Sequence, residues 1–489
     1  MMNGIQQTVT HSLDMNEQTL RDYFTKTPDL IYCHLFIGEP KKRALLIYLN
    51  TLVDKNSINN NIIDPLLFET KQIHTIADIQ LPIGSKSYTT KWEHVIQRVF
   101  QGETALFLDG DDHVLLLDTQ GWPQRAIAEP QVESSLKGSH QGFIETCEKN
   151  IALIRRYLPH QQLKIEETTV GRRGHTPVVL LYLEDIAHPE VLQELKDRIE
   201  QVDVDTIVNT GELMQHIEDN PFSPFPQFLL TERPDAAVSN LLQGRIVIVV
   251  DRSPSVMIGP MTFITFFQTV DDYSTRWMIA SFLRLLRLLA FFMAIFLPSA
   301  YIAALSFHYE IIPLNLLLTV AESRERVPLP PILEAILMEL AIEMLREAGL
   351  RLPAPIGQTV GIVGGVVIGQ AAVEAGIVSN IMVVIVSLTA IASFIIPNPD
   401  MSESIRLLRF PMMIAASLFG LVGMVIGFML IIGHLISLES LGTPAGSPFA
   451  PARLRDWKDT LLRFPLWMMR TRPLSARPTQ LTRQKKFRK

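Results

Sequence analysis

Four side chains within five residues could bind a cation: Asp109, Asp111, Asp112 and His113. Carboxylates and an imidazole are the ligands that divalent ions draw from a protein. They follow an apolar run that ends at Leu108, where a strand must reverse, and solvated Asp and His are ordinary residues in such a turn. The turn reading is the stronger, so no metal site is assigned. Asp251, ahead of Ser253 and Pro254, reads as a turn for the same reason. Asn220–Gln227 (NPFSPFPQ) interleaves three prolines with aromatics and reads as a rigid connector. Nucleotide loops, metal-ligand spacings and nucleophile elbows have no counterpart in the chain. No catalytic residue, no cofactor and no enzymatic activity are therefore expected, and no nucleic-acid partner.

Glycine spacing carries more. Gly357, Gly361, Gly365 and Gly369 recur every fourth residue, with Gly364 beside them. A dinucleotide loop is excluded, because no strand precedes the run and no ribose-binding acid follows at the right distance. In a bilayer, small residues at this spacing form a flat face on which helices pack closely. Helical geometry sets Thr359, Val363, Val366 and Gln370 on the opposite face. That face either meets lipid or a packed neighbour, or, repeated around an axis, lines a pore with a dewetting gate.

Acids near the same region need explaining as well. A helical run over 332–348 carries Glu339, Glu343 and Glu347, with Arg346, along one side, which reads as the wet face of an amphipathic or re-entrant helix at the membrane surface. Glu334 lies nearly opposite, among Ile and Leu, where an acid requires a partner or a water-filled space. Glu374 is similarly placed at a membrane boundary. Glu334 and Glu374 are the candidates for cation contact.

These residues must be positioned by two unlike halves. The chain has 489 residues, 47% apolar and 19% charged. Residues 1–276 carry charge throughout, whereas four later stretches are almost uncharged: 288–307, 356–373, 376–396 and 410–438. Roughly 20 apolar residues make one helical crossing, so residues 277–442 read as a membrane domain of about four spans, the second either spanning or re-entrant. Arg284 and Arg287 precede the first span, and 12 Lys and Arg fill the basic tail, 443–489. Both chain ends are then cytoplasmic. Arg406 and Arg409, in a loop on the outer side of that scheme, run against it. Two cysteines, Cys33 and Cys147, allow no disulfide framework and read as reduced structural thiols. The polar N-terminus has no signal-peptide core.

The soluble half reads as two tandem α/β subdomains, about 40–120 and 175–262. VIQRVFQGETALFLDG (Val95–Gly110) matches AVSNLLQGRIVIVVDR (Ala237–Arg252) at a constant offset: helix, Gln-Gly, then an apolar strand ending in Asp. Upstream, LLIYLNTLV echoes VLLYLEDIA at a different offset. The turn signals GDDH and RSPS close hairpins. The fold class is thus an α/β soluble half followed by an α-helical transmembrane domain.

Several motifs, taken together and in order, resemble a known family. They are PFPQ, TERPD (Thr231–Asp235), VVDRSP, TFITFFQTVDDYS, SFLRLLR (Ser281–Arg287) and LPAPIGQTVGIVGGVVIGQAAVEAGIVS. The chain resembles, from about residue 30 to 445, the A subunit of the GerA family of spore germinant receptors. One departure is Arg252, where the family pattern has glycine after the strand's Asp. The resemblance implies a spore inner-membrane protein with a transporter-like B subunit and a lipoprotein C subunit as partners. It also implies a role in triggering germination and self-association into a ring that forms a ligand-gated channel for monovalent cations. A non-conducting scaffold or signalling subunit and a secondary transporter are the alternatives.

Overall fold

The computed structural model describes residues 8–69, 73–121, 130, 133, 138–353, 365 and 367–485. The chain forms two compact units, one of 1–218, 228–261 and 470–489, the other of 219–227 and 262–469.

The first unit holds two five-stranded antiparallel sheets. Strands β1 (Leu30–Ile37), β2 (Lys42–Leu49), β3 (Lys86–Thr89), β4 (Thr104–Leu108) and β5 (Val114–Leu117) pair in the order β1-β2-β4-β5-β3. Strands β6 (Leu163–Val170), β7 (Thr176–Leu183), β8 (Leu229–Thr231), β9 (Ile246–Val250) and β10 (Val256–Gly259) repeat that order as β6-β7-β9-β10-β8. The central strands β4 and β9 are buried along their whole length. That is why they read as continuous apolar runs rather than alternating ones.

Helices explain the two-sided burial. In the first subdomain α1 (Leu13–Tyr23) and α3 (Trp92–Phe100) set Leu20, Trp92 and Val99 against Leu45, Ile47 and Phe107. On the other face, Ile58 of α2 (Lys55–Ile58) and Ile62 and Leu66 of the π-helical turns after it cover Leu46, Leu106 and Leu115. The second subdomain uses α4 (Cys147–Tyr157), α5 (Pro189–Glu200), α6 (Thr210–Ile217) and α7 (Pro234–Leu241).

The repeat is wider than the two matched segments. Asp109 Oδ1 accepts from the backbone N–H of Leu13, where α1 begins, at 3.3 Å; Asp251 Oδ1 accepts from Cys147, where α4 begins, at 3.2 Å. Asn16 accepts from Thr10 N–H at 3.0 Å and donates to its carbonyl, and Asn150 does the same to Ile144. The acids that end β4 and β9 are therefore more than turn residues. Each satisfies an orphan donor at a helix start.

Residues 470–485 belong to the first unit rather than forming a free tail. Arg472 Nε donates to the Leu242 carbonyl at 2.8 Å, and Thr479 N–H donates to Ile186 at 2.8 Å. In sequence, the last segment of the first unit before the helices ends at 261.

The second unit is helical: Trp277–Ser306, Leu314–Arg324, Pro331–Arg351, a helical stretch over 367–374, Asn380–Ile395 and Pro399–Ser437. Trp277–Ser306 and Pro399–Ser437 are long and apolar enough to cross a membrane. Asn380–Ile395 has 16 residues, about 24 Å of helix, shorter than a hydrocarbon core of roughly 30 Å.

Phe410–Leu438, which reads as one rod, is folded in two. Gly420 leaves helical geometry at φ 60°, ψ −139°. A methyl group on Gly423 would overlap the Ala415 carbonyl, and one on Gly427 would lie 2.8 Å from Met412 Cε. Met412 and Gly427 would be about 22 Å apart on a straight helix. The far ends close up as well: Ser404 Oγ donates to the Pro224 carbonyl, and His434 Nε2 lies 2.8 Å from Ser223 Oγ. Residues 399–437 are thus an antiparallel helical hairpin with its tip at Gly420.

Candidate functional site

Charged side chains are gathered inside the helical unit. Glu334 and Glu339, on the Pro331–Arg351 helix, are 0% and 1% exposed. Glu334 Oε1 meets Arg324 Nη1 at 2.7 Å, and its Oε2 accepts from Ser379 N–H at 3.1 Å. Glu339 pairs with Arg409 Nη1, and Arg409 Nε donates to the Ala294 carbonyl at 2.8 Å. One turn on, Glu343 lies 3.5 Å from Arg406 and 3.8 Å from Arg346, whose guanidinium stacks 4.8 Å from the Phe394 ring.

Two expectations change here. The acidic stripe 339–343–347 is not a wet face at its start, because Arg409 reaches Glu339 inside the bundle; only Glu347, paired with Arg351, is well exposed. Arg406 and Arg409 are not in a loop. They lie within the first arm of the hairpin and are neutralised by acids about 70 positions earlier.

Large apolar side chains turn outward around these pairs. Phe282, Phe394, Leu407, Val422 and Leu430 are exposed, while the interior is built from Ala303, Ala335, Met382 and Ala416. Charge inside and Phe and Leu outside is the reverse of a water-soluble bundle.

Of the glycine face, Gly365 and Gly369 are described, and Gly357 and Gly361 lie outside the described residues. A methyl group on Gly369 would touch Val383 at 3.6 Å, whereas one on Gly365 would meet nothing within 4 Å among the described residues. Of the opposite face, Thr359, Val363 and Val366 lie outside the described residues. Gln370 is exposed, and its Nε2 donates to Glu374 Oε1 at 3.0 Å. Glu374 therefore has a neighbour on its own helix, and Glu334 has an arginine.

The acidic cluster of the soluble half is occupied by its own turn. Asp111 accepts from Ile76 N–H at 2.7 Å and His113 N–H at 2.9 Å, and His113 Nδ1 lies 2.8 Å from Asp112. Burial would raise the Asp111 carboxyl, but those N–H donors outweigh it and hold the group below its usual range. Cys33 and Cys147 are free. Burial, then the Asp251 carboxylate, pushes the Cys147 thiol up to about 12, as befits an unreactive structural thiol.

A model of the Bacillus/Clostridium GerA spore germination protein family matches residues 18–475. The chain belongs to the GerA family. It is 42% identical to spore germination protein KA of Bacillus subtilis (strain 168) over 484 residues, 98% of this chain and 89% of that protein. It is 41% identical to the uncharacterized membrane protein YfkQ of the same strain, over 88% of this chain and 85% of that one. Among solved structures it is similar to the N-terminal domain of the A subunit of the Bacillus megaterium spore germinant receptor GerK3. That match has 27% identity and a TM-score of 0.41, and covers 53% of this chain and 99% of that one. Arg252, which follows the Asp at the end of β9, has a positive φ of 66°.

Proposed function

We propose that this GerA chain is the membrane-embedded A subunit of a nutrient germinant receptor. Copies of it surround an ion pathway that opens when the receptor senses its nutrient. The observation that carries the membrane placement is the inverted bundle, in which Glu334, Glu339, Arg324 and Arg409 pair inside while Phe and Leu side chains face outward. In water this arrangement would expose apolar area and bury charge, two unfavourable terms at once; in lipid both reverse. The chain ends are cytoplasmic, and the transporter-like B subunit and lipoprotein C subunit are the partners.

In this reading Thr359, Val363, Val366 and Gln370 face the axis. Val363 and Val366 form the apolar neck from which water withdraws, so that an ion cannot keep its hydration there. Gln370 and Glu374, exposed one turn apart, supply a polar and anionic rim that favours cations.

The experiment is ion flux through liposomes holding this chain together with its B and C partners, challenged with nutrient broth. Nutrient-triggered cation release supports the channel; tight vesicles with an otherwise competent complex favour a non-conducting scaffold. Val363→Ser should leak without nutrient. Tight vesicles with serine at 363 and at 366 would place the gate elsewhere.

A further inference from the structure

The segment 449–468 wraps the start of the Trp277–Ser306 helix and is held from inside. Ser281 Oγ donates to the Arg463 carbonyl and accepts from its N–H, both at 3.1 Å. Buried Arg284 donates to Asp459 Oδ1 at 2.9 Å and to the Thr460 carbonyl at 3.2 Å. Tyr273 donates to Asp459 Oδ2 at 2.8 Å. Burial, then that carboxylate, raises the phenol above its usual range, so Tyr273 stays a donor.

What this anchored segment turns outward is unusual. Leu454 is 72% exposed, Trp467 50%, Leu466 49%, Trp457 45% and Leu462 44%. Arg455 and Lys458 are exposed beside them. Tryptophan, leucine and cations displayed together are the composition of a membrane–water interface, where the amphipathic ring lies at headgroup level and the cation meets phosphate.

Depth and continuity agree with that composition. The anchors Ser281 and Arg284 precede the uncharged run that starts at 288 by four to seven residues, about 6–10 Å of helix. That is the thickness of the layer between hydrocarbon and water. Met278, Phe282, Leu285 and Leu289, all exposed, form one stripe that continues the apolar surface toward the hydrocarbon.

From this we infer that residues 449–468 form a collar in the cytoplasmic headgroup layer. There Trp457, Trp467 and the leucines insert to the glycerol level, and Arg455 and Lys458 bind the phosphates of anionic phospholipid. The inference rests on the membrane placement proposed above.

The test uses the full chain in phosphatidylcholine vesicles with or without phosphatidylglycerol. The fluorescence lost on Trp457→Phe with Trp467→Phe is the collar signal. It should be quenched by lipids brominated near the top of the acyl chain and spared by aqueous iodide. Quenching by iodide alone overturns the collar, as does shielding from both quenchers, which would mean a protein covers it. Arg455→Gln with Lys458→Gln should lower co-purified phosphatidylglycerol relative to phosphatidylcholine, roughly fivefold per cation. An unchanged ratio also overturns the collar. Alkaline carbonate separates the two readings. Protein that is stripped from the vesicles defeats the membrane placement itself, whereas protein that stays but lacks shallow quenching defeats only the collar.

Discussion

Arg155 of the second subdomain closes a two-point pair on Asp29 of the first: Nε to Oδ2 at 2.9 Å and Nη2 to Oδ1 at 2.8 Å. Arg155 is fully buried, and Asp29 also accepts from Thr51 Oγ1 at 2.8 Å. Removing the acid strands a guanidinium with no solvent to reach. Asp29→Ala should therefore cost the soluble half about 3–5 kcal/mol, and Asp29→Leu with Arg155→Met considerably less. Denaturant unfolding of the purified chain, followed by Trp92 fluorescence, checks the ranking; equal losses would show that the pair's charge is not what matters.

Arg252 makes the opposite kind of prediction. Its φ is 66° and that of Gly110, 142 positions earlier, is 88°. The backbone N–H of each bonds into its own subdomain, Arg252 to Glu145 at 2.8 Å and Gly110 to His11 at 2.9 Å. The left-handed turn is thus built twice, once with the residue that adopts it freely. Arg252→Gly should raise stability by about 1 kcal/mol by relieving the Cβ clash. A lower melting temperature would mean that the arginine side chain earns its place elsewhere.

The hairpin depends on close backbone approach. Gly420 occupies a region of φ and ψ that is nearly restricted to glycine, and Gly423 lies against the Ala415 carbonyl. Gly420→Ala should cost about 1–3 kcal/mol, and Gly423→Leu should prevent the arms from closing. A cysteine pair at Met412 and Gly427 should cross-link in membranes from the wild-type background and fail to do so with leucine at 423. Cross-linking that survives the leucine would show the arms are held by other contacts.

Glu166 gives a pH signature outside the membrane half. Burial would raise its carboxyl, but hydrogen bonds from Lys196, Tyr182 and Lys26 hold it at about 2, against an ordinary 4.5. A depressed folded pKa stabilises above the unfolded value, and that contribution disappears as pH falls from about 4.5 to about 2. Glu166→Gln should flatten the acid limb of stability over that window and leave the limb above it parallel. Solvent shares the site, so the effect is small. Melting curves at closely spaced pH values measure it; an unchanged slope would rule out Glu166 as the group responsible.

Gly365 separates folding from assembly. Among the described residues nothing lies within 4 Å of where its Cβ would be, so Gly365→Leu should leave the single chain's folding intact. If copies pack on the glycine face, the same change should shift the detergent-solubilised particle to smaller mass and abolish the germination response. A variant of normal mass would show that this position faces lipid.

The soluble fold was legible where identical spacing survived in both copies. Helix, Gln-Gly and strand recur at one offset because any length change there would shift a fully buried strand out of register. The first helix and strand of each copy escape that pattern, since between Leu13–Tyr23 and Cys147–Tyr157 only Asn16/Asn150, Arg21/Arg155 and Tyr23/Tyr157 are shared. In the helical half, hydropathy hid two things. Arg406 and Arg409 break an apolar run and so resemble a loop, and their neutralising acids are too distant for local patterning to reveal. Gly420 changes no charge and little hydropathy, so a fold-back reads as a straight span.

The C-terminal strand of chain over 470–485 has a consequence for how the molecule is made. It completes a subdomain whose last sheet strand ends at Gly259, so that subdomain cannot finish while it is the only part outside the ribosome. At about 5–20 residues per second the missing piece follows roughly ten to fifty seconds later. Through that interval Leu242 and Ile186 lack the partners that Arg472 and Thr479 bring. Synthesis order therefore makes the helices of 277–437 before the subdomain that precedes them is closed.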